Sequence, residues 1–216
     1  AMATKTIVHN PCGKTLNLQC IIQSYWDVTS MRAVLSNQGE PTTINACDSI
    51  LIELREMNAP YSIAEAKQTV MMQDGTSTTN FNVASGNYYI VIKHDNGLQT
   101  WSVMTVNFSG SSISYNISDA VSKAYGSNQA QVAQGVWAIY SGDITQGENI
   151  ELADASILEI DINSFQFGNV ITDMNGDGNV DLTVNAEHEV YLLTNLGSGT
   201  FASREFVASV FHANGV

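Results

Sequence analysis

The sequence predicts a mainly β protein: an antiparallel β-sandwich over residues 1–140, followed by a small acidic subdomain with a short helix over residues 141–216. Two observations support this division. Short apolar segments separated by turn residues fill the first part. Acidic residues concentrate in the second, because residues 1–142 carry nine acidic and seven basic side chains, whereas residues 143–216 carry twelve acidic and one basic.

The predicted strands follow one another at the spacing of hairpins. The clearest has Ile50, Ile52 and Leu54 alternating with other residues, so the three side chains lie on one face. The dipeptide Asp74-Gly75 is typical of a tight turn between two strands. The full set of predicted strands is 16–23, 49–55, 66–73, 78–83, 88–94, 101–108, 113–117 and 132–140. A series of short antiparallel strands with such turns is typical of a β-sandwich.

Composition excludes several classes of protein. The net charge is −13 and no cluster of basic residues is present, so we do not expect nucleic-acid binding. No uninterrupted apolar run is long enough to predict a membrane-spanning helix. The first residues lack the charged and apolar segments of an export signal, so we expect any such signal to have been removed before this sequence begins. We expect the isolated module to be a monomer.

The stretch DMNGDGNVD, residues 173–181, places oxygen-bearing side chains at alternate positions. Oxygen ligands at this spacing, with a glycine that permits a sharp turn, wrap hard cations such as Ca²⁺. The predicted ligands are Asp173, Asn175, Asp177, Asn179 (through its backbone carbonyl) and Asp181. We therefore predict that Ca²⁺ is bound here.

A second acidic stretch begins thirty residues upstream, so the two loops form an internal repeat. Its candidate ligands, at positions 1, 3, 7, 9 and 12 of a twelve-residue loop, are Asp143, Thr145, Asn149, Glu151 and Asp154. Position 5 should be acidic but is Gly147, and position 6 should be glycine but is Glu148. The sequence leaves open whether this degenerate loop binds calcium. Residues 153–161 then carry Ile157, Leu158 and Ile160 at helical spacing, which predicts a short amphipathic helix.

The two loops together resemble a dockerin-type calcium repeat. The residues that carry the resemblance are GDI, IEL and a final Asp within 142–154, and TDMNGDGNVDL at 172–182. The β-rich segments before them are similar to the leaders of dockerin-like tails in large secreted bacterial surface proteins. The resemblance implies that 141–216 is a dockerin-like, helix-containing subdomain of an extracellular or cell-surface protein. Val184 departs from the family pattern, because an acid is expected at position 12 of the second loop.

Residues 173–201 also resemble an integrin-type (FG-GAP/VCBS) calcium repeat, in which the loop leads directly into a strand and needs no acid at position 12. The two resemblances agree on the ligands and disagree on whether the chain after residue 182 forms a helix or a strand. We expect a helix over 186–193, because a single repeat of the integrin type cannot form a propeller.

No catalytic motif is recognisable, so we do not expect an enzyme. The sequence favours a non-catalytic calcium-binding module that acts in adhesion, in docking or as a structural spacer, with an unidentified protein or cell-surface glycan as its partner. The alternative is a carbohydrate-binding module attached to a secreted polysaccharide-active protein. Its candidate sugar-binding residues are Tyr25, Trp26 and Trp101, because aromatic rings can stack on sugars.

The cysteines and His94 are further residues whose roles the sequence bears on. Cys20 and Cys47 both adjoin predicted strands, so they form either a disulfide or two buried free thiols, and Cys12 is the third cysteine. His94 follows a predicted strand and precedes Asp95, where we expect a turn residue rather than a catalytic base.

Overall fold

A computed structural model describes residues 13–40, 43–164, 166, 170–178, 182–186, 189–193 and 205–209. The described strands are β1 (Lys14–Gln19), β2 (Trp26–Asp27), β3 (Ser30–Met31), β4 (Ala46–Glu56), β5 (Ile63–Met72), β6 (Thr76–Phe81), β7 (Asn87–His94), β8 (Gly97–Trp101), β9 (Val106–Asn107), β10 (Ser112–Asn116), β11 (Ala130–Ala133), β12 (Val136–Ala138), β13 (Leu182–Ala186), β14 (Glu189–Leu193) and β15 (Glu205–Ser209). The α-helices are α1 (Val34–Asn37) and α2 (Leu152–Asn163). The protein is mainly β, as the sequence predicts.

Two sheets share the main hydrophobic core. One has the strand order β5-β4-β7-β8, with β9 paired to β7, and the other has the order β10-β1-β6. The core takes Leu16 and Phe81 from the smaller sheet, and Ile52 and Ile92 from the larger one. Burying one such side chain contributes about 1.5–3 kcal/mol, so these inner faces supply most of the driving force for folding.

The alternation predicted for β4 is confirmed. Ile50, Ile52 and Leu54 are all fully buried on the core side of the strand. The turn predicted at Asp74-Gly75 is also present: it joins β5 to β6, and Gly75 has a φ of +85°. Local sequence was sufficient in both places, because strand alternation and tight turns depend on neighbouring residues.

The predicted antiparallel arrangement is wrong for one pair of strands. Strand β1 pairs with β10 in parallel, with Leu16 opposite Ile113, while its other neighbour β6 is antiparallel. Hairpin spacing predicts direction only for strands joined by a tight turn. More than 90 residues separate β1 from β10 in the chain, so no turn imposes an antiparallel arrangement on this pair.

Two predicted strands are each interrupted. The strand predicted over 101–108 is instead the end of β8 at Trp101 and the separate β9. At the interruption, the hydroxyl of Ser102 makes two hydrogen bonds that are not part of the strand pairing. It accepts the N–H of Ile90 at 3.0 Å and donates to the carbonyl of Met104 at 2.8 Å. The strand predicted over 132–140 is a hairpin of β11 and β12, which turns at Gly135 with a φ of +74°.

A second, smaller hydrophobic cluster lies after the β-rich part, formed by Ile144, Leu158 and Met174. Helix α2 is present where the sequence predicts a helix, and Leu158 is its buried residue in this cluster. Ile160, another of the apolar residues on which the helix was predicted, is exposed. Leu158 and Ile160 are two residues apart, which places them on opposite sides of a helix.

The helix expected over 186–193 is wrong. Strands β13, β14 and β15 form an antiparallel sheet, with Val184 opposite Tyr191 and Asn185 opposite Val190. Valine and tyrosine have high β-propensity, and pairing with neighbouring strands satisfies it. The described chain after the second loop therefore forms strands and not a helix.

Cys20 and Cys47 are free thiols in the main core. Burial raises the pKa of the Cys20 thiol to about 12, and burial also raises the pKa of Cys47. Cys12 lies outside the described residues. Neither α-helix in the described part of the chain is long and apolar enough to span a membrane.

Candidate metal centre and aromatic cleft

The first loop (residues 143–154) is organised around the buried carboxylate of Asp143, which is 1% exposed. Its two oxygens accept the backbone N–H groups of Gly147 at 2.8 Å and of Glu148 at 3.1 Å. These donors occupy positions 5 and 6 of the loop. The loop therefore closes on the side chain of its own first residue.

The second loop, which starts at Asp173, has the same arrangement. The carboxylate of Asp173 is 3% exposed and accepts the N–H of Asp177 at 3.0 Å and of Gly178 at 2.8 Å. These donors again occupy positions 5 and 6. The side chain of Asn175 adds a third contact, because its Oδ1 accepts the Asp177 N–H at 2.9 Å.

Backbone conformation repeats as well. Position 4 has a positive φ in both loops, +56° at Gln146 and +72° at Gly176. Position 6 does too, +64° at Glu148 and +87° at Gly178. Glycine adopts this conformation without strain, whereas other residues rarely do. The first loop thus keeps the path of the second although it lacks both glycines.

The two loops also share a core. Ile144 and Met174 occupy position 2 of their loops, and both side chains pack in the small cluster with Leu158 of α2. An apolar residue at position 2 was not among the features read from the sequence. The sequence feature that could have predicted this shared core is the apolar residue that directly follows the first aspartate of each loop.

The remaining candidates of the first loop are arranged around Asp154. Its Oδ1 accepts both the N–H and the hydroxyl of Thr145 at 2.8 Å, and its Oδ2 accepts the N–H of Glu151 at 2.7 Å. Asp154 therefore ties position 12 to positions 3 and 9 and satisfies an N–H at the start of α2. Asn149 donates to the carbonyl of Gly147 at 3.3 Å.

The buried acids lack basic partners. Among the described residues, no lysine or arginine forms an ion pair with Asp143, Asp154 or Asp173. Burial, opposed by the N–H bonds of the loop, raises the pKa of Asp173 to about 6. Burial also raises the pKa of Asp143, and the nearby charge of Asp154 adds to the effect. A bound cation would offset the free-energy cost of these charges.

The donor set fits a hard cation only in part. A carboxylate offers about four lone-pair positions, so the three N–H groups that donate to Asp173, from Gln38, Asp177 and Gly178, leave room for one bond to a metal. Within the described residues, the second loop supplies the oxygens of Asp173, Asn175 and Asp177, and no group of three or more His, Cys, Asp and Glu side chains is placed to hold a metal ion. The other predicted ligands, Asn179 and Asp181, lie outside the described residues.

The second loop is fastened to the β-rich part of the chain. Arg32 donates to the carbonyl of Asn175 at 3.2 Å, and Gln38 donates to Oδ2 of Asp173 at 3.4 Å. Gly176 lies directly against Val34 of α1.

The first loop is fastened at a different place. The side-chain amide of Gln146 lies 2.8 Å from the carbonyl of His94 and 3.0 Å from that of Asp95, at the turn between β7 and β8. Gly142, next to the loop, donates to the carbonyl of Asn96 at 2.6 Å. Both loops are therefore held by backbone carbonyls or side chains outside the acidic segment.

The prediction that Tyr25 is a sugar-binding residue is wrong. Tyr25 is 3% exposed, and its hydroxyl donates to Asp48 Oδ2 at 2.7 Å. His94 lies 3.2 Å from the same oxygen and packs edge-on against the Tyr25 ring at 5.3 Å. His94 ends β7 but is 4% exposed, so it is a core residue as well as a turn neighbour. Burial leaves no face of Tyr25 for a sugar.

Trp26 and Trp101 are half-buried and line separate hollows. Trp26 is the one aromatic side chain among the residues that line its hollow, which also include the polar residues Asp74, Asn116 and Asp119. Trp101 lies in a cleft of about 360 Å³ with three tyrosines, and the charged loop residue Glu148 forms part of its wall. Sequence reasoning missed those tyrosines, Tyr61, Tyr89 and Tyr125, because they come from distant segments.

The sequence matches no protein-family model and no curated protein. Among solved structures, it is similar to chains from two interface mutants of a type II cohesin–X–dockerin complex from Acetivibrio cellulolyticus. The C-terminal interface mutant gives a TM-score of 0.40 at 15% identity, and the N-terminal interface mutant gives 0.40 at 14%. Each similarity covers 77% of this chain and 87% of the other. A TM-score of 0.40 does not establish a common fold, so these similarities assign neither fold nor function.

Proposed function

We propose that the chain is a non-catalytic calcium-binding module of a secreted or cell-surface bacterial protein, in which metal-ordered loops serve docking, adhesion or spacing. One observation carries the proposal. Two acidic loops thirty residues apart share the same closure on their first aspartate and the same positive φ at positions 4 and 6. Loops with this alternation of oxygen donors are typical calcium sites.

The acidity of this part of the chain supports the same proposal. Twelve of the 21 acidic residues lie after residue 142, with a single basic residue among them. Without cations such a segment repels itself, whereas bound calcium would supply free energy for its folding. The loops are in turn attached to the β-rich part through Arg32 and Gln146, so calcium would stiffen the junction between the two.

A catalytic role has less support. His94 and Asp48 form the most enzyme-like pair among the described residues, but His94 is buried and its ring faces Tyr25 and Asp48 rather than a cleft. A general base needs access to the proton that it removes. We therefore propose a binding or structural role for this chain.

Calcium binding is tested by thermal and chemical unfolding in EDTA and in excess Ca²⁺. Saturation at ~100 times Kd should add ~2.7 kcal/mol to the free energy of unfolding. Asp177→Ala should remove most of this gain, because it deletes a predicted ligand at position 5. Asp119→Asn is the matched control, since Asp119 is an exposed acid paired with Lys123 outside the loops. Equal stability with EDTA and with calcium would refute the proposal.

The first loop can be tested separately. Gly147→Asp places a carboxylate at position 5, where the second loop has Asp177. A Cβ on Gly147 would lie 3.1 Å from Thr145 Oγ1, so the hydroxyl must shift slightly. Calorimetric titration should show a tighter first site in this variant than in the parent protein. An unchanged number of sites and unchanged affinities would show that the first loop does not bind calcium.

A further inference from the structure

Four aromatic side chains converge on the cleft of about 360 Å³ that contains Trp101. Tyr61, Tyr89 and Trp101 pack edge-on against one another, with ring centroids 5.9 Å apart for Tyr61–Tyr89, 6.1 Å for Tyr61–Trp101 and 5.9 Å for Tyr89–Trp101. Tyr125 completes the lining. A concave site of this size, with mostly aromatic walls and a few polar groups, is typical of small-ligand binding.

The floor of the cleft is the face of the large sheet that points away from the core. Strand register places Arg55 opposite Tyr89, and Val91 opposite Trp101. Tyr89 and Trp101 are therefore diagonal neighbours on one face, within reach of each other. The alternate residues of β7, including Ile90, are buried in the main core on the other face.

Two exposed tyrosines from outside the sheet form the walls. Tyr61 is 41% exposed and comes from the turn between β4 and β5, while Tyr125 is 69% exposed and comes from a 3₁₀ turn at Tyr125–Ser127. A β-bridge between Ser102 and Ala124 brings that turn beside the end of β8. Tyr61 has a φ of +55°, which is unusual for a bulky residue and is held by the surrounding turn.

The polar side chains that line the cleft are those of Gln99, Ser102 and Glu148. Gln99 donates to Glu148 Oε1 at 3.2 Å, which places an amide and a carboxylate together on one wall. The guanidinium of Arg55 lies 5.0 Å from the centre of the Trp101 ring and is ion-paired with Glu53. Because Arg55 is already ion-paired, it does not offer a free positive charge to an anionic ligand. Neutral hydroxyls, which both donate and accept hydrogen bonds, match the amide and carboxylate best.

We propose that this cleft binds a neutral pyranose oligosaccharide. The C–H faces of the sugar rings stack on Trp101 and on the exposed faces of Tyr61 and Tyr125, while hydroxyls bond to Gln99 and Glu148. The four aromatic residues lie outside the two acidic loops, and Glu148, although part of the first loop, is not a predicted calcium ligand. This site therefore goes beyond the calcium-binding role and is tested separately from it.

The test is isothermal titration of the full chain, in calcium, with the hexaoses of β-1,4-linked glucose, xylose and mannose and of α-1,4-linked glucose. We expect at least one to bind. Trp101→Ala should weaken that binding about tenfold, and Tyr125→Ala several-fold, because each removes a stacking surface. Trp137→Ala is the matched control, since Trp137 is a half-buried tryptophan of β12 that does not line this cleft, and it should bind as the parent does.

Trp101 packs against Arg55 and Tyr61, so its loss could also disturb the fold. The exposed Tyr125 avoids that difficulty, and circular dichroism of both variants checks their folding. The proposal is overturned if none of the four hexaoses binds at millimolar concentration, or if binding is the same in the parent and in Tyr125→Ala and Trp101→Ala. Binding of a proline-rich decapeptide in the absence of saccharide binding would overturn it too, since such peptides also use aromatic grooves.

Discussion

Gly176 of the second loop meets Val34 of α1 so closely that a Cβ atom on Gly176 would lie 2.2 Å from Val34 Cγ2. No carbon atom can occupy that position without moving the valine. The contact joins an acidic loop to a buried residue of the main core. It explains why position 4 of the second loop must be glycine for steric reasons, in addition to its φ of +72°.

We predict that Gly176→Ala lowers the free energy of unfolding by about 2–4 kcal/mol, through overpacking against Val34 and the left-handed backbone. Gly178→Ala is the matched control: its φ is +87°, but within the described part of the chain no atom beyond its chain neighbours lies within 4 Å of the added Cβ, so we expect a loss of only about 1 kcal/mol. Urea unfolding of both variants measures the difference. Equal losses would show that the contact with Val34 contributes nothing.

The strained first loop can be relieved. Glu148 has a φ of +64° at the position where the second loop has glycine, so Glu148→Gly should raise stability by about 0.5–1 kcal/mol. Gln146 also has a positive φ, but its side chain bonds to His94, Asp95 and Asp143. Gln146→Gly should therefore be neutral or destabilising. Chemical unfolding in EDTA compares the two, and a larger gain from Gln146→Gly would contradict the role of its side chain.

The buried Asp173 should make stability depend on pH when calcium is absent. Its folded-state pKa of about 6 lies above the ordinary value of 3.8, so the native state binds this proton more tightly than the unfolded state does. The contribution is full below about pH 3.8 and is lost as the pH rises through about 6. In EDTA, Asp173→Asn should be more stable than the parent at pH 7 and nearly equal to it at pH 4.

Urea unfolding at several pH values measures this difference for Asp173. Excess calcium at pH 7 should reverse its sign, because the amide of the variant is a weaker ligand than the carboxylate. A difference between the two proteins that stays constant from pH 4 to pH 7 in EDTA would contradict the prediction.

Asp48 should show the opposite dependence on pH. Burial acts to raise its pKa, but the hydrogen bonds from His94, Tyr25 and the Ser49 N–H together lower it. The folded-state pKa therefore lies below 3.8, and the stability that the carboxylate contributes is present above that value and lost as the pH falls through the folded-state pKa.

Tyr25→Phe removes one of these bonds and should cost about 1.5–3 kcal/mol at pH 7, because its partner is charged. Tyr115→Phe, which loses a bond to the neutral carbonyl of Lys123, is the control and should cost about 0.5–1.5 kcal/mol. The cost of Tyr25→Phe should shrink below pH 4 as Asp48 is protonated. Equal costs for the two variants at every pH would contradict the role of Asp48.

Features that depend on near neighbours were predictable from the sequence. Alternation in β4 predicted its buried face, Asp74-Gly75 predicted a turn, and the apolar spacing after residue 152 predicted helix α2. The predicted calcium loops also depend on near neighbours, because a loop that wraps an ion uses residues a few positions apart. Their metal stays a prediction, and two of its expected ligands lie outside the described residues.

Which aromatic residues are buried, and which strands are neighbours, depends on the folded chain. Tyr25 and Trp101 were equivalent candidates in the sequence, yet one lies in the core beside Asp48 and the other lines an open cleft. Contacts with distant segments also determine the parallel pairing of β1 with β10 and the strand at Glu189–Leu193. Burial and pairing depend on which distant segment covers a face, and no local pattern of residues carries that information.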